Sequence, residues 1–356
     1  MNFASDNAGP VPAEVIDALT RANTGSVASY GADDITTEVR TRLRDLFEAP
    51  QAAVYLLATG TAANALSLAT LCAPFQTIFC SEVAHIHEDE CNAPEFYTGG
   101  AKLTLVRGGD RMSPDALRAA IEGEGNRGVH GPQRGPVSIT NVTEGGNVYT
   151  LGELSALCGV AHDHGLPVHL DGARFANACV KLGCTPAEMT WRIGVDIAVF
   201  GGTKNGLMDA EAVLIFDPDK PASSGFSRAE EFELRVKRAG HLYSKHRYVA
   251  AQMQAYLEDD LWRDLAARAN ARCDALATAL RDMGVEILNP THANMLFFRA
   301  PKRVHDALVA AGAVYSPWGG SEGNGPEALA TGRLVCSWST THEDVASFAE
   351  AMRAAH

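Results

Sequence analysis

The feature that most constrains this chain is an alternation of two patterns. Through about residue 220, short apolar and β-branched runs recur at Ala53–Leu57, Thr77–Cys80, Lys102–Val106, Val137–Val142, Val168–Leu170, Asp196–Phe200 and Ala212–Phe216, separated by stretches with helical spacing. Runs that are largely apolar on both faces leave little solvent-facing side, so the strands belong in a mainly parallel, seven-stranded sheet covered by helices on both faces: an α/β fold. Helix starts are marked at Ser113-Pro114, a capping residue before proline, and at Thr150-Leu151-Gly152-Glu153, a capping box. Beyond Ser227 the pattern changes to a long helical region through about Leu280, then strand-like Val285–Leu288, Met295–Phe298 and Leu334–Trp338 with helices between. The expectation is a large domain, 1–240, and a smaller C-terminal α+β domain, 241–356, with residues 1–12 free to pack on the latter. A chain of 356 residues is long enough for both.

Composition narrows the partner. The net charge of −13 is spread along the chain with no basic block, which argues against nucleic acid or an anionic membrane surface. The longest apolar runs, Ala52–Ala58 and Ala212–Phe216, are far shorter than the roughly 20 residues that cross a bilayer. The start of the chain lacks the charged and apolar stretches of a signal peptide. A cytoplasmic protein acting on a small molecule is expected. The eight cysteines form no CxxC pair, and Cys72, Cys80, Cys158 and Cys336 sit in apolar segments, as buried structural thiols do.

In open α/β sheets ligands bind beyond the carboxyl ends of the strands. Ala58-Thr59-Gly60-Thr61-Ala62-Ala63-Asn64 follows one strand and opens a helix, offering free N–H groups to a phosphate, although a plain strand-to-helix turn has the same residues. Pro167-Val-His-Leu-Asp171-Gly-Ala-Arg174 ends another strand on a carboxylate. Asp171 either caps the next helix or keeps a pyridine nitrogen protonated, making that ring an electron sink. Phe200-Gly-Gly-Thr203-Lys204-Asn-Gly ends the next strand on a lysine among glycines, where a surface lysine is the bland reading and a Schiff-base lysine the chemical one. His85, in Glu82-Val-Ala-His85-Ile-His87-Glu88, is placed to lie on such a ring or to act as a base. A metal held by His85, His87 and Glu88 fits no closed zinc spacing, and His162-Asp-His164 reads as a solvated helix end.

Together these segments resemble the threonine aldolase and β-eliminating lyase group of the aspartate-aminotransferase fold family. The landmarks occur in order over nearly the whole chain: Ser5-Asp6-Asn7, Tyr30-Gly31-Ala-Asp33-Asp34, Ala58-Thr-Gly-Thr61, Ala84-His85, Thr143-Glu-Gly-Gly-Asn-Val148, His169-Leu-Asp-Gly-Ala-Arg174 and Thr203-Lys204. The resemblance implies fold type I and pyridoxal 5′-phosphate (PLP), with Lys204 holding the cofactor, Asp171 on its pyridine nitrogen, Gly60 and Thr61 on its phosphate, His85 stacked on the ring, and Arg174 and Thr203 beside it. It also implies that Ser5, Arg174 and Arg333 bind the substrate carboxylate, that a cation between Arg235 and Arg247 reaches a phosphate, and that active sites lie at the interface of a homodimer or homotetramer. Glu144 stands where some threonine aldolases carry a second histidine near the β-hydroxyl, so His85, Glu144 or a water is the catalytic base. The implied reaction is cleavage of an L-β-hydroxy-α-amino acid to glycine and an aldehyde. β-Elimination, amino transfer and a catalytically silent PLP-binding protein are the alternatives.

Overall fold

The structure, a computed structural model, describes residues 1–222 and 224–355. Seven strands, β1 (Ala53–Leu57), β2 (Gln76–Ser81), β3 (Lys102–Val106), β4 (Gln133–Thr140), β5 (Val168–Asp171), β6 (Ile197–Gly201) and β7 (Glu211–Ile215), form one sheet in the order β1-β7-β6-β5-β4-β2-β3. Only β7 runs against its neighbours β1 and β6; the other four pairings are parallel. Every residue of β5, β6 and β7 is buried, the signature of a sheet covered on both sides. The expected run Val137–Val142 is displaced. β4 begins at Gln133, whose N–H donates to Phe75 O, and ends at Thr140 before the chain leaves the sheet.

A second, antiparallel sheet is built from β8 (Glu286–Ile287), β9 (Met295–Pro301), β10 (Ser316–Glu322) and β11 (Leu329–Val335), in the order β10-β11-β9-β8. The sequence pattern placed its last strand at Leu334–Trp338; β11 instead starts five residues earlier, since it pairs with β9 from Leu329 to Val335. β10 had no pattern at all. Ser-Pro-Trp-Gly-Gly-Ser-Glu has the composition of a turn, and it forms an exposed edge strand that only its neighbour β11 specifies.

The single helical region expected from 227 to 280 divides into helices Arg228–Arg238, Arg247–Leu257 and Leu261–Asp282. Gly240, at φ +79°, breaks it first, and Asp259 and Asp260, at φ 49° and 56°, break it again. Val249, Met253, Tyr256, Trp262 and Leu265 pack into the core under the large sheet. Cys273, Leu276 and Leu280 of the last helix pack into the core of the small sheet instead. That helix therefore runs from one core into the other.

The start of the chain also belongs to the second core. Phe3 is fully buried there, its ring edge-on to Phe348 at 5.4 Å. Its N–H donates to Val314 O at 2.7 Å, and its carbonyl accepts from Val335 N at 2.8 Å. Among the described residues no helix is long and apolar enough to cross a membrane.

Candidate active site

Two neighbouring strands end on the groups that matter most. β5 ends on Asp171, and β6 runs through Gly201 into the short turn Thr203–Asn205 that carries Lys204. The strand ends can approach only because Gly172 and Gly201 lack side chains. A Cβ on Gly172 would stand 2.0 Å from Val199 O, and one on Gly201 2.6 Å from the carbonyls of Gly172 and Ala173. The direct contact is a hydrogen bond from Gly201 N to Gly172 O at 3.0 Å.

Beyond these ends lies a cavity of about 230 Å³, lined among others by Gly60, Thr61, His85, Asp171, Thr203 and Lys204. The helix Gly60–Leu71 points its start into this cavity. Thr59 caps it, its hydroxyl accepting from Ala62 N at 3.2 Å, which leaves the first two N–H groups, those of Gly60 and Thr61, without intrahelical partners. Two converging N–H groups at the positive end of a twelve-residue helix form an anion cradle.

Asp171 is buried, and among the described residues its side chain accepts only from neutral donors, Asn64 Nδ2 at 3.0 Å and Ala173 N at 3.0 Å. The following helix starts at Phe175 with Arg174 in the capping position, so Asp171 closes a turn and does not cap the helix. Asn64 gives its second amide hydrogen to Glu90 Oε1 at 2.9 Å, and the same oxygen meets His85 Nδ1 at 2.8 Å. The hydrogen bond to Glu90 raises the His85 pKa, against the opposing effects of burial and of Lys204. Burial in turn holds the Glu90 carboxyl above its usual range.

On the far side, Glu211 of β7 also lines the cavity, and its carboxylate accepts from Gly202 N at 2.9 Å. Burial pushes its pKa up to about 7, with the Thr203 and Gly202 hydrogen bonds and the Lys204 charge pulling the other way.

Arg174 is fully buried and forms a two-point pair with Asp6, Nε to Oδ2 at 2.7 Å and Nη2 to Oδ1 at 3.0 Å. Asn294 Nδ2 donates to the same Asp6 oxygen at 3.0 Å. Burial alone would push the Asp6 carboxyl up, but Arg174, Lys204 and Asn294 together hold it below its ordinary value. Asp6 thus occupies one edge of the guanidinium that the sequence reading gave to a substrate carboxylate. Ser5 accepts from Asn7 N at 3.1 Å, within the same turn. Arg333 faces this group with its Nε unpartnered among the described residues, its guanidinium 5.3 Å over the ring of Trp318 on β10. Burial and the nearby Arg174 lower its pKa. The Glu144 carboxyl is raised by burial, partly countered by Arg174 and Lys204, so it lies close to both cations.

Among the cations between residues 235 and 247, Arg235 is tied to Glu231 and Tyr97 O, and Arg247 to the carbonyls of Thr24 and Gly25. Lys245 lines an opening together with Ala58, two residues before the Gly60–Thr61 anion cradle. The sequence reading did not single out Asn64, Glu90, Glu211 or Asp6 for a role. Asn64 and Asp6 lie inside segments it quoted, and Glu90 is five residues past His85.

The sequence profile described as beta-eliminating lyase matches residues 2–302. A low specificity L-threonine aldolase of Pseudomonas sp. is 39% identical over 99% of this chain and 97% of its own length. That of Pseudomonas aeruginosa is 39% identical over 99% and 96%. Among solved structures, a Leishmania major threonine aldolase superposes with a TM-score of 0.89 at 24% identity, covering 99% of this chain and 98% of that one. A serine palmitoyltransferase of S. paucimobilis with bound PLP gives 0.67 at 17% identity, covering 100% and 88%. With the fold, the strand-end lysine and aspartate, and a profile spanning most of its length all in agreement, this chain belongs to the beta-eliminating lyase family.

Proposed function

We propose that this chain cleaves L-β-hydroxy-α-amino acids, threonine and allo-threonine among them, to glycine and an aldehyde, using PLP. The observation that carries this reading is the meeting of Lys204, Asp171, His85 and the Gly60–Thr61 cradle in one cavity, in a chain 39% identical to low specificity L-threonine aldolases.

The residues fit the cofactor. Lys204 Nζ is the attachment point, and the Gly60 and Thr61 N–H groups suit the phosphate, with Lys245 nearby. Asp171 is a buried carboxylate whose protein partners are all neutral, so it suits a protonated pyridine nitrogen. His85 lines the same cavity and would stack on the cofactor ring. When bound, the cofactor supplies an electron sink for the pair left on Cα as Cα–Cβ breaks.

The remaining work falls to side chains. Arg333, with an unpartnered edge, and Ser5 receive the substrate carboxylate, and Arg174 offers the edge that Asp6 leaves free. Glu144 is half-buried and raised in pKa, and it takes the β-hydroxyl proton; His85 is the second group able to do so. A single carboxylate at this position holds the hydroxyl loosely, so both β-diastereomers react, within about tenfold of each other. The active unit is a dimer or tetramer in the cytoplasm, with Lys245 and its neighbours near a subunit boundary.

The test is product analysis on threonine and allo-threonine. Glycine and acetaldehyde are expected from both. Pyruvate, 2-oxobutyrate or ammonia in place of glycine would overturn the bond assignment, and reaction of one diastereomer alone would overturn the loose hydroxyl site.

A further inference from the structure

The chain His85–Glu90–Asn64–Asp171 links two parts of the site by three hydrogen bonds of 2.8, 2.9 and 3.0 Å. The Glu90 side chain is 0% exposed, and its Oε2 has no partner among the described residues. A buried carboxylate in that position needs either a proton or a cation, and the group in contact with it that can carry positive charge is His85. The bridging amide of Asn64 decides between the two. Both of its hydrogens point at carboxylate oxygens, one on Asp171 and one on the same Glu90 oxygen that His85 meets. An oxygen already accepting from an amide is a poorer place for a proton, so the proton of the Glu90–His85 contact stays on the imidazole.

We propose that Glu90 is a positioning residue: its carboxylate holds His85 through Nδ1–H and leaves Nε2 for the cavity, and Asn64 ties that carboxylate to Asp171. His85, whether it lies against the cofactor or takes a proton, is thereby held in one ring orientation and one tautomer by a third group. Since Asp171 and Glu90 share one amide, the partner of the pyridine nitrogen and the holder of the imidazole are fixed relative to each other. The inference rests on the reading of His85 as a group that touches the cofactor. The charged groups facing His85 are Glu90 in its own segment, Asp171 on β5, Lys204 after β6 and Glu144 in the loop after β4.

The experiment is nitrogen-detected NMR of histidine-labelled full-length chain, with and without PLP, with His85 assigned by His85→Phe, alongside steady-state kinetics. In the wild-type chain the proton of neutral His85 is expected on Nδ1. In Glu90→Gln the imidazole should lose its proton at lower pH than in wild type, because the carboxylate that favoured the cation is gone. kcat should fall roughly 10–100-fold, with KM within about threefold. Asn64→Ala should move both readouts the same way by less, and it serves if Glu90→Gln does not fold. A wild-type His85 protonated on Nε2, a titration unmoved in both variants, or an unchanged kcat would each overturn the proposal. A wild-type chain that releases no glycine sinks the aldolase reading alone, and the NMR comparison still decides this one.

Discussion

Asp171 and Asp196 are both buried, at opposite ends of the neighbouring parallel strands β5 and β6. Asp196, just before β6, is surrounded by its own fold: it accepts from Arg228 at 2.8 Å and Val168 N at 2.9 Å, and Lys220 and His162 lie at 3.7 and 3.6 Å. Asp171, at the end of β5, has among the described residues only the neutral donors Asn64 and Ala173. A buried carboxylate answered by cations of the protein holds structure together. One answered by dipoles alone still lacks a positive charge, and a ligand can supply it. The size of a cavity does not make this distinction. About 450 Å³ lies around Asp196, against about 230 Å³ beside Asp171, yet only the smaller one combines a strand-end lysine with an anion cradle.

The largest effect separating the two is on turnover. Asp171→Asn should still bind PLP but lose on the order of 10³-fold in kcat, about 4 kcal/mol, because a neutral amide no longer favours the protonated ring. Undiminished turnover in a folded variant would remove the contrast. The mirror experiment is Asp196→Asn. It should leave kcat nearly untouched and cost about 3 kcal/mol of stability, since Arg228, 5% exposed, loses its counter-charge. Urea unfolding measures this, and a loss of activity without a loss of stability would invert the comparison.

Glu211 supplies a third case, a cavity carboxyl whose ionised form is disfavoured. Its folded pKa, about 7, lies above its ordinary value of 4.5, so its protonated form adds stability that is complete below about pH 4.5 and is lost as the pH rises through 7. Glu211→Gln should therefore flatten stability across that window and raise it relative to wild type at pH 8, by about 3 kcal/mol. Thermal melts of both chains at pH 5 and pH 8 check the sign. The smallest effect belongs to a helix start far from the cavity. Ser113 caps its helix through Ala116 N, and Ser113→Ala should cost about 1 kcal/mol with kinetics intact.

Much of this was legible in the sequence, for a physical reason. Strands that are buried on both faces must be apolar along their length, and a polar residue at the end of such a strand stands out; Asp171 and Lys204 are both of that kind. His85, Gly60 and Thr61 are found the same way, immediately after a strand. Asn64, Glu90 and Asp6 announce nothing locally. Asn64 sits on the buried face of a helix whose other residues are mostly alanine and leucine, and its role comes from partners 26 and 107 residues away. Asp6 acquires its role from Arg174, 168 residues on. The edge strand β10 was missed for a related reason. Its Pro, Gly-Gly and Ser argue for a turn, and pairing with β11 overrides them.

The strap formed by the first residues has a consequence for synthesis. Phe3 needs Val314 and Val335, and Asp6 needs Arg174 and Asn294, so the chain's opening segment has no place to settle until its last quarter exists. A ribosome that has made the large sheet has made both Asp6 and Arg174, but not Asn294, Val314 and Val335, which hold the segment that carries Asp6. The corner around Asp6 and Arg174 therefore lacks its full set of partners until late in synthesis, and a nascent chain stopped before residue 294 carries Lys204 and the start of the Gly60–Leu71 helix without the Asn294 contact to Asp6.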